Sequence, residues 1–391
     1  MRTPTPRSRR LLAASLCASL GLAAGGVGAT PSSESPSFES PSFDDRYDEP
    51  ERCSPDNPEA CLNGASSPVA NGAMMREALN SHGATTRDRT GTKREQGTAT
   101  RWRREAWFAA GDGADAAIGT WVSYNYLDAE SDFAQAGTPL GFESDSHNAL
   151  AGVDRLFFED RLLLGLAGGY SALSVDTVHN GGGVENDGFT IAPYAALLLN
   201  EVFGLDVSGG YSSLDYEQHR VSPTDGSLTT SAFDSGRWFI AGNVNATLAR
   251  GNWLGNLRVG GAHVSERQDA YLETGSAASA LGGTLRAVQE RNIHLTQVIA
   301  AGEVAYSAGA VEPYFMVAYH NDVSRSDDPG AGGMPGQFRV VQPDDDDEVQ
   351  LGFGLRCYTE RGFTATLEYL RVEGREDFDM DSVLATLRLA L

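Results

Sequence analysis

The chain has 391 residues, with 30 lysines and arginines against 53 aspartates and glutamates, a formal net charge of −23 and a sequence pI ≈ 4.6. A balance this acidic excludes a nucleic-acid partner, because phosphate binding needs a basic surface. Past the N-terminus no apolar run reaches the ~18 residues of a membrane helix. That excludes helical spans and not barrel strands, in which every second residue is polar or small.

The chain opens like a secretory signal. Arg2, Arg7, Arg9 and Arg10 form a basic start, residues 11–24 are apolar, and Val27-Gly28-Ala29 before Thr30 fits the small-x-small cleavage rule. Sec-type export is expected, with residues 1–29 removed. Arg9-Arg10 also suits a twin-arginine signal, although an ordinary arginine-rich start is the simpler reading. Cleavage after Ala29 discards Cys17. Cys53 and Cys61 then bracket the Pro-rich loop SPDNPEA and are expected to pair as a small disulfide in an oxidising compartment. No His–Cys cluster accompanies them, so no metal site is expected.

Residues 30–110 read as largely disordered. They contain the short repeat SPSFESPSFDD and little that builds a core. Residues 87–104 are basic and Thr-rich, with Lys93, Arg94, Arg101, Arg103 and Arg104, and with Trp102 and Trp107 alongside. This is either a flexible linker or a segment held inside an acidic or polar channel.

From Ile118 the pattern changes to a period of two. In 202–212, Phe203, Leu205, Val207, Gly209 and Tyr211 share one face, and Gly204, Asp206, Ser208 and Gly210 share the other. The same layout, ending in the same GGYS, occupies 162–171. The series predicts strands at 118–126, 148–156, 161–173, 189–199, 202–216, 237–249, 253–264, 293–306, 311–320, 349–358, 363–370 and 382–391. Most have the length of a tilted membrane-spanning strand. Short connections (at 159–160, 200–201, 250–252, 309–310 and 359–362) alternate with long polar ones. An up-and-down barrel with one confined rim sorts its loops this way. The expected fold is therefore all-β: a transmembrane up-and-down antiparallel β-barrel of about twelve strands, preceded by a largely disordered segment.

Alternation assigns the faces. Asp206, Arg237, Arg258, Glu303, Glu312, Arg356, Glu368 and Arg388 fall on the polar face and are expected to line the lumen. Leu205, Val207, Phe353, Leu387, Leu389 and Leu391 fall on the apolar face and are expected to meet lipid. Cys357 alternates with Phe353 and Leu355, which makes it a buried or lipid-facing thiol. Tyr124, Tyr126, Tyr170, Tyr211 and Tyr319 lie at the outer strand ends, where an interfacial aromatic girdle belongs.

Nothing points to catalysis. There is no G-x-S-x-G, and the GYS triplets sit within strands. His147, His179, His219 and His320 fall near the outer rim beside acidic residues, as ordinary loop residues do, although an Asp/His protease would also place them there. The acidic run 344–348 lacks the glycine and spacing of an EF-hand loop and reads as solvated charge. No catalytic, cofactor or metal residues are expected, and the chain is not expected to be an enzyme.

The ordered series GTWVSYNYLDAESDF (119–133), SHNALAGVDRLFFEDRLLLGLAGGYSAL (146–173) and DGFTIAPYAALLLNEVFGLDVSGGYSSLDYE (187–217) resembles the autotransporter β-domain family of type V secretion. The resemblance implies a twelve-stranded barrel over 111–391 in the outer membrane, inserted by the outer-membrane assembly machinery. Outer-membrane lipid and lipopolysaccharide would be its surroundings. It implies that the N-terminal segment is exported or displayed, and that a helix threads the lumen before the first strand. By position that segment is 87–108, with Glu303, Glu312 or Glu368 as partners for its basic residues. Residues 30–110 show no β-helix passenger repeat, so a short display tail is expected. The alternative is a stand-alone barrel, acting as pore or adhesin through its outer loops, with its tail in the periplasm. The terminal Leu391 stands where such barrels commonly end in an aromatic residue.

Overall fold

The structure, a computed structural model, describes residues 118–135, 138–139, 141–158, 161–178, 181–221, 227–275, 286–328, 346–359, 363–375 and 378–390. The chain divides into the units Met1–Asp48 and Glu49–Leu391, and every described residue lies in the second. The expected signal, the Cys53–Cys61 pairing, the 87–108 segment and Leu391 lie outside the described residues.

Among the described residues, twelve strands form the wall: β1 Ile118–Ser131, β2 Phe142–Phe157, β3 Leu162–Thr177, β4 Gly182–Leu198, β5 Phe203–Val221, β6 Leu228–Arg250, β7 Trp253–Gln268, β8 Arg291–Tyr306, β9 Val311–Asp328, β10 Asp347–Tyr358, β11 Phe363–Glu373 and β12 Phe378–Ala390. Each pairs antiparallel with its neighbours in sequence. The ring closes where β1 pairs with β12, from Gly119↔Ala390 to Ser131↔Phe378. Closure removes both sheet edges, the condition for β-structure in lipid, where unpaired backbone groups have no water to bond. Tyr271–Gly275 and Arg286–Val288 prolong β7 and β8 beyond the ring, and Thr274 and Gly275 pair with Thr230 and Thr229 of β6.

The twelve expected strands are all present, but most run further at their outer ends. Residues 175–188 read as a long loop, yet β3 continues to Thr177 and β4 starts at Gly182. Residues 373–381 likewise shrink to the short connection between Glu373 and Phe378. These two outer connections are as short as the turns at the opposite rim. Length alternation was thus partly strand overhang. Beyond the membrane the outward face of a strand turns polar, so apolar alternation fades while the backbone ladder continues.

Side chains that meet across an intervening strand identify the inner face. Arg388 of β12 reaches Asp154 of β2 over β1, and Arg356 of β10 reaches Glu303 of β8 over β9. Only the concave side of a closed sheet permits this. The opposite face carries exposed apolar residues along nearly every strand, among them Val122, Leu164, Ile191, Val207, Ile240, Val259, Phe315, Phe353 and Leu389. Tyr124, Tyr170, Phe189, Tyr211, Trp238 and Tyr319 mark its outer margin, and Phe157, Phe203, Trp253 and Tyr306 its other margin. This is the outline of a lipid belt between aromatic girdles.

Inside, two large rings lie over glycines. A Cβ at Gly165 would overlap the Tyr194 ring, and one at Gly354 would overlap the Tyr314 ring. Glycine there lets an aromatic side chain lie flat against the wall. Toward the outer mouth the inner face becomes apolar, with Phe142, Val175, Val184, Leu214 and Tyr216 nearly fully buried.

Candidate functional site: the barrel lumen

The period-two pattern turns alternate residues inward, so the chemistry of the lumen is set by strand parity. The structure places all eight sequence-expected lumen residues on the inner face. Asp206, Arg237, Glu303, Glu312, Arg356, Glu368 and Arg388 are buried there, and Arg258 is half-buried. Leu205, Val207, Phe353 and Leu389 are exposed on the outer face, with Leu387 half-exposed beside them.

The inner residues form separate networks. On β8–β11, Arg356 makes two hydrogen bonds to Glu303, at 2.8 and 2.7 Å, and a longer one to Glu312 at 3.3 Å. Its guanidinium lies 3.9 Å above the Tyr314 ring, and the Tyr314 hydroxyl donates to Glu368 at 2.7 Å. The described members thus comprise three carboxylates and one guanidinium. Buried charge is tolerated only where such pairing offsets desolvation.

A second network spans the ring closure. Arg388 donates to both oxygens of Asp154, at 2.8 and 2.6 Å. The Tyr194 hydroxyl donates to Asp154 at 2.7 Å, and the Trp121 indole donates to Tyr194 at 2.8 Å. On β5 and β6, Asn243 and Asn245 both donate to Asp206, at 2.7 and 2.5 Å, and Arg258 donates to Asn245 at 3.1 Å. Nearer the outer mouth, Arg237 pairs with the fully buried Glu266 at 2.7 Å, and the Tyr216 hydroxyl donates to the same carboxylate. At the mouth, Arg375 of the β11–β12 connection turns inward to Asp322 at 3.0 Å and Glu348 at 2.8 Å.

The pairings bring together Glu303, Glu312, Arg356 and Glu368, and keep Asp206, Arg237 and Arg388 in networks of their own. Sequence reasoning left out Asp154, Glu266, Asp322 and Glu348. Asp154 shares parity with Leu150 and Gly152, so its inward direction was legible. Its partner was not, because β12 is last in sequence. Glu266, Asp322 and Glu348 lie in the overhangs that read as loops. His320, expected near the outer rim, is buried on the inner face 3.9 Å from Glu348. Cys357 is half-buried on β10, opposite Val311 of β9.

Comparison with known proteins gives a consistent placement. The family model described as "Autotransporter beta-domain" matches residues 120–370, well over half of the chain. The fold is similar to the translocator domain of autotransporter NalP from Neisseria meningitidis, with TM-score 0.61 and 10% identity, covering 83% of this chain and 100% of that one. It is also similar to the β domain of the Bordetella autotransporter BrkA, with TM-score 0.54 and 16% identity, covering 70% and 100%. A sequence search of curated proteins finds no match.

Proposed function

Since this chain belongs to the autotransporter β-domain family, the outer-membrane barrels of type V secretion, we propose that it exports or displays its own short N-terminal segment. The inner-wall cluster around Arg356 supports this. Its described residues carry three carboxylates to one guanidinium, at the rim where the chain enters β1. The segment that precedes β1 is basic, with Lys93, Arg94, Arg101, Arg103 and Arg104. In a confined, low-dielectric lumen opposite charges attract strongly. The segment threads the barrel, held by that wall, with 30–86 beyond the outer mouth. Sec-type export and insertion by the outer-membrane assembly machinery deliver the chain.

The brevity of 30–110 favours a second reading, in which the barrel acts through its outer loops and its tail stays in the periplasm. Protease treatment of intact cells carrying an epitope tag beside Cys61 separates the two. Cleavage of the tag supports display. Full protection, in cells whose outer loops are cut, rejects it.

A further inference from the structure

Around the outer margin of the lipid belt, carboxylates recur on the outward face. The girdle tyrosines donate to them from neighbouring strands: Tyr126 to Asp145, Tyr170 to Asp187 at 2.9 Å, Tyr319 to Asp347 at 2.5 Å, and Tyr369 to Asp381 at 2.5 Å. Asp187, Asp215 and Asp234 face one another directly across β4, β5 and β6. A carboxylate accepts hydrogen bonds and carries negative charge. A lipid phosphate does the same, so over most of the rim the two repel unless a divalent cation lies between them.

The β6–β8 sector is different. There the girdle residue is Trp238, and its ring lies 4.9 Å from that of His263, which lies 6.1 Å from that of His294. His263 Nδ1 is 2.8 Å from the Thr296 hydroxyl, and His294 Nε2 is 3.4 Å from the Ser324 hydroxyl. The other nitrogen of each ring has no partner among the described residues. Ser265 sits between, opposite both Trp238 and His294. Arg267 follows two residues further out, with its side chain 64% exposed. Its partner Glu290 is itself 39% exposed, and a surface pair of this kind is weak enough for a competing anion to displace. Asp234 on β6 and Asp269 just past the end of β7 lie four residues beyond Trp238 and Ser265.

On the membrane side of this ledge the outward face is nearly bare. Gly242 stands directly opposite Gly261, and Ala300 and Gly302 follow on β8. An acyl chain can lie against backbone there, between Ile240, Val259 and Val298.

We propose that the β6–β8 sector is a specific docking site for a phosphorylated glycolipid of the outer leaflet. His263, Ser265, His294 and Arg267 hold the phosphate, Trp238 packs on the headgroup, and the glycine strip takes an acyl chain. Hydrogen bonds to charged groups are the stronger ones, and the site gathers two imidazoles, a hydroxyl and a guanidinium, whereas Arg371 elsewhere on the rim is surrounded by Glu373, Asp379 and Asp381. This deepens the lipopolysaccharide partner expected of the barrel, and it rests on the outward orientation of the overhanging strand ends. Display of the N-terminal segment is neither needed nor altered by it.

The test uses the full chain, folded in detergent, with bis-phosphorylated lipid A as probe. Bound lipid A is measured by mass spectrometry after chelator washing, for the wild type, for the triple variant H263A/H294A/R267A and for Asp145→Asn as a control on the far arc. Heat-modifiable gel migration confirms that each barrel is folded. The wild type and the control retain lipid A without divalent cations, and the triple variant binds about tenfold more weakly, which is ~1.4 kcal/mol. Equal retention by the triple variant, or loss of all lipid from the wild type on chelation, overturns the proposal. Displacement by inorganic phosphate at equal phosphate concentration overturns the lipid assignment.

Discussion

Arg388, Asp154, Tyr194 and Trp121 act as a clamp on the closure between first and last strands. The bidentate pair joins β12 to β2 across β1, and Tyr194 and Trp121 extend it to β4 and β1. All four are at most 6% exposed. Replacing Asp154 with Ala strands a buried guanidinium and takes the acceptor from Tyr194. Replacing Arg388 with Ala strands the carboxylate. Each variant is expected to lose about 3–5 kcal/mol, the usual cost of orphaning one half of a buried pair. The double replacement D154L/R388M removes both charges and keeps volume, so it is expected to recover most of that loss, with a coupling energy of about 2 kcal/mol. Gly119→Ala attacks the clamp from the backbone, because a Cβ there would overlap Arg388 Nη2 and Asp154 Oδ1. Its expected cost is about 1–3 kcal/mol. Urea unfolding in lipid vesicles gives the energies, with Trp121 fluorescence as the local probe. Single variants within about 1 kcal/mol of wild type, or a double variant that costs the sum of the singles, would refute the clamp.

Three further outcomes follow from the same geometry. Leu205→Arg puts a charge on the lipid face and is expected to cost about 2–4 kcal/mol in vesicles, falling sharply in yield of folded, heat-modifiable barrel. Gly165→Ala displaces the Tyr194 ring and is expected to cost about 1–3 kcal/mol by urea unfolding, whereas Gly251→Ala meets no neighbouring atom and disturbs only its turn, where φ is 60°. Asp215, on the outward ridge above Tyr211, has its carboxyl pKa raised above the ordinary 3.8 by partial burial, then by the facing Asp234 and Asp187. The folded chain holds that proton more tightly than the unfolded chain, so this contribution is fully present below 3.8 and is lost as pH rises through the folded value. Asp215→Asn is expected to flatten stability over that window and to raise it at neutral pH. An unchanged pH profile would count against the ridge.

Sequence alone determined the class, the strand order and the direction of side chains within the expected strands. Once backbone groups in lipid must bond one another, a period of two in twelve segments leaves a closed antiparallel barrel as the outcome. Parity then sends Asp206 inward and Leu205 outward without further information. Strand ends were less legible, because above the lipid belt the outward face turns polar and part of the inner face turns apolar while the ladder continues, as from Leu173 to Thr177 in β3. Partners inside the lumen were decided only by the tertiary structure. Arg388 and Asp154 are far apart in the chain, and the curvature of the closed ring, together with the register Gly119↔Ala390 and Gly119↔Asp154, brings them to 2.6 Å. The ladder register of β6, β7 and β8 likewise gathered Trp238, His263 and His294 side by side. Alternation orients each of these residues singly, and only register sets which of them share a level on the wall.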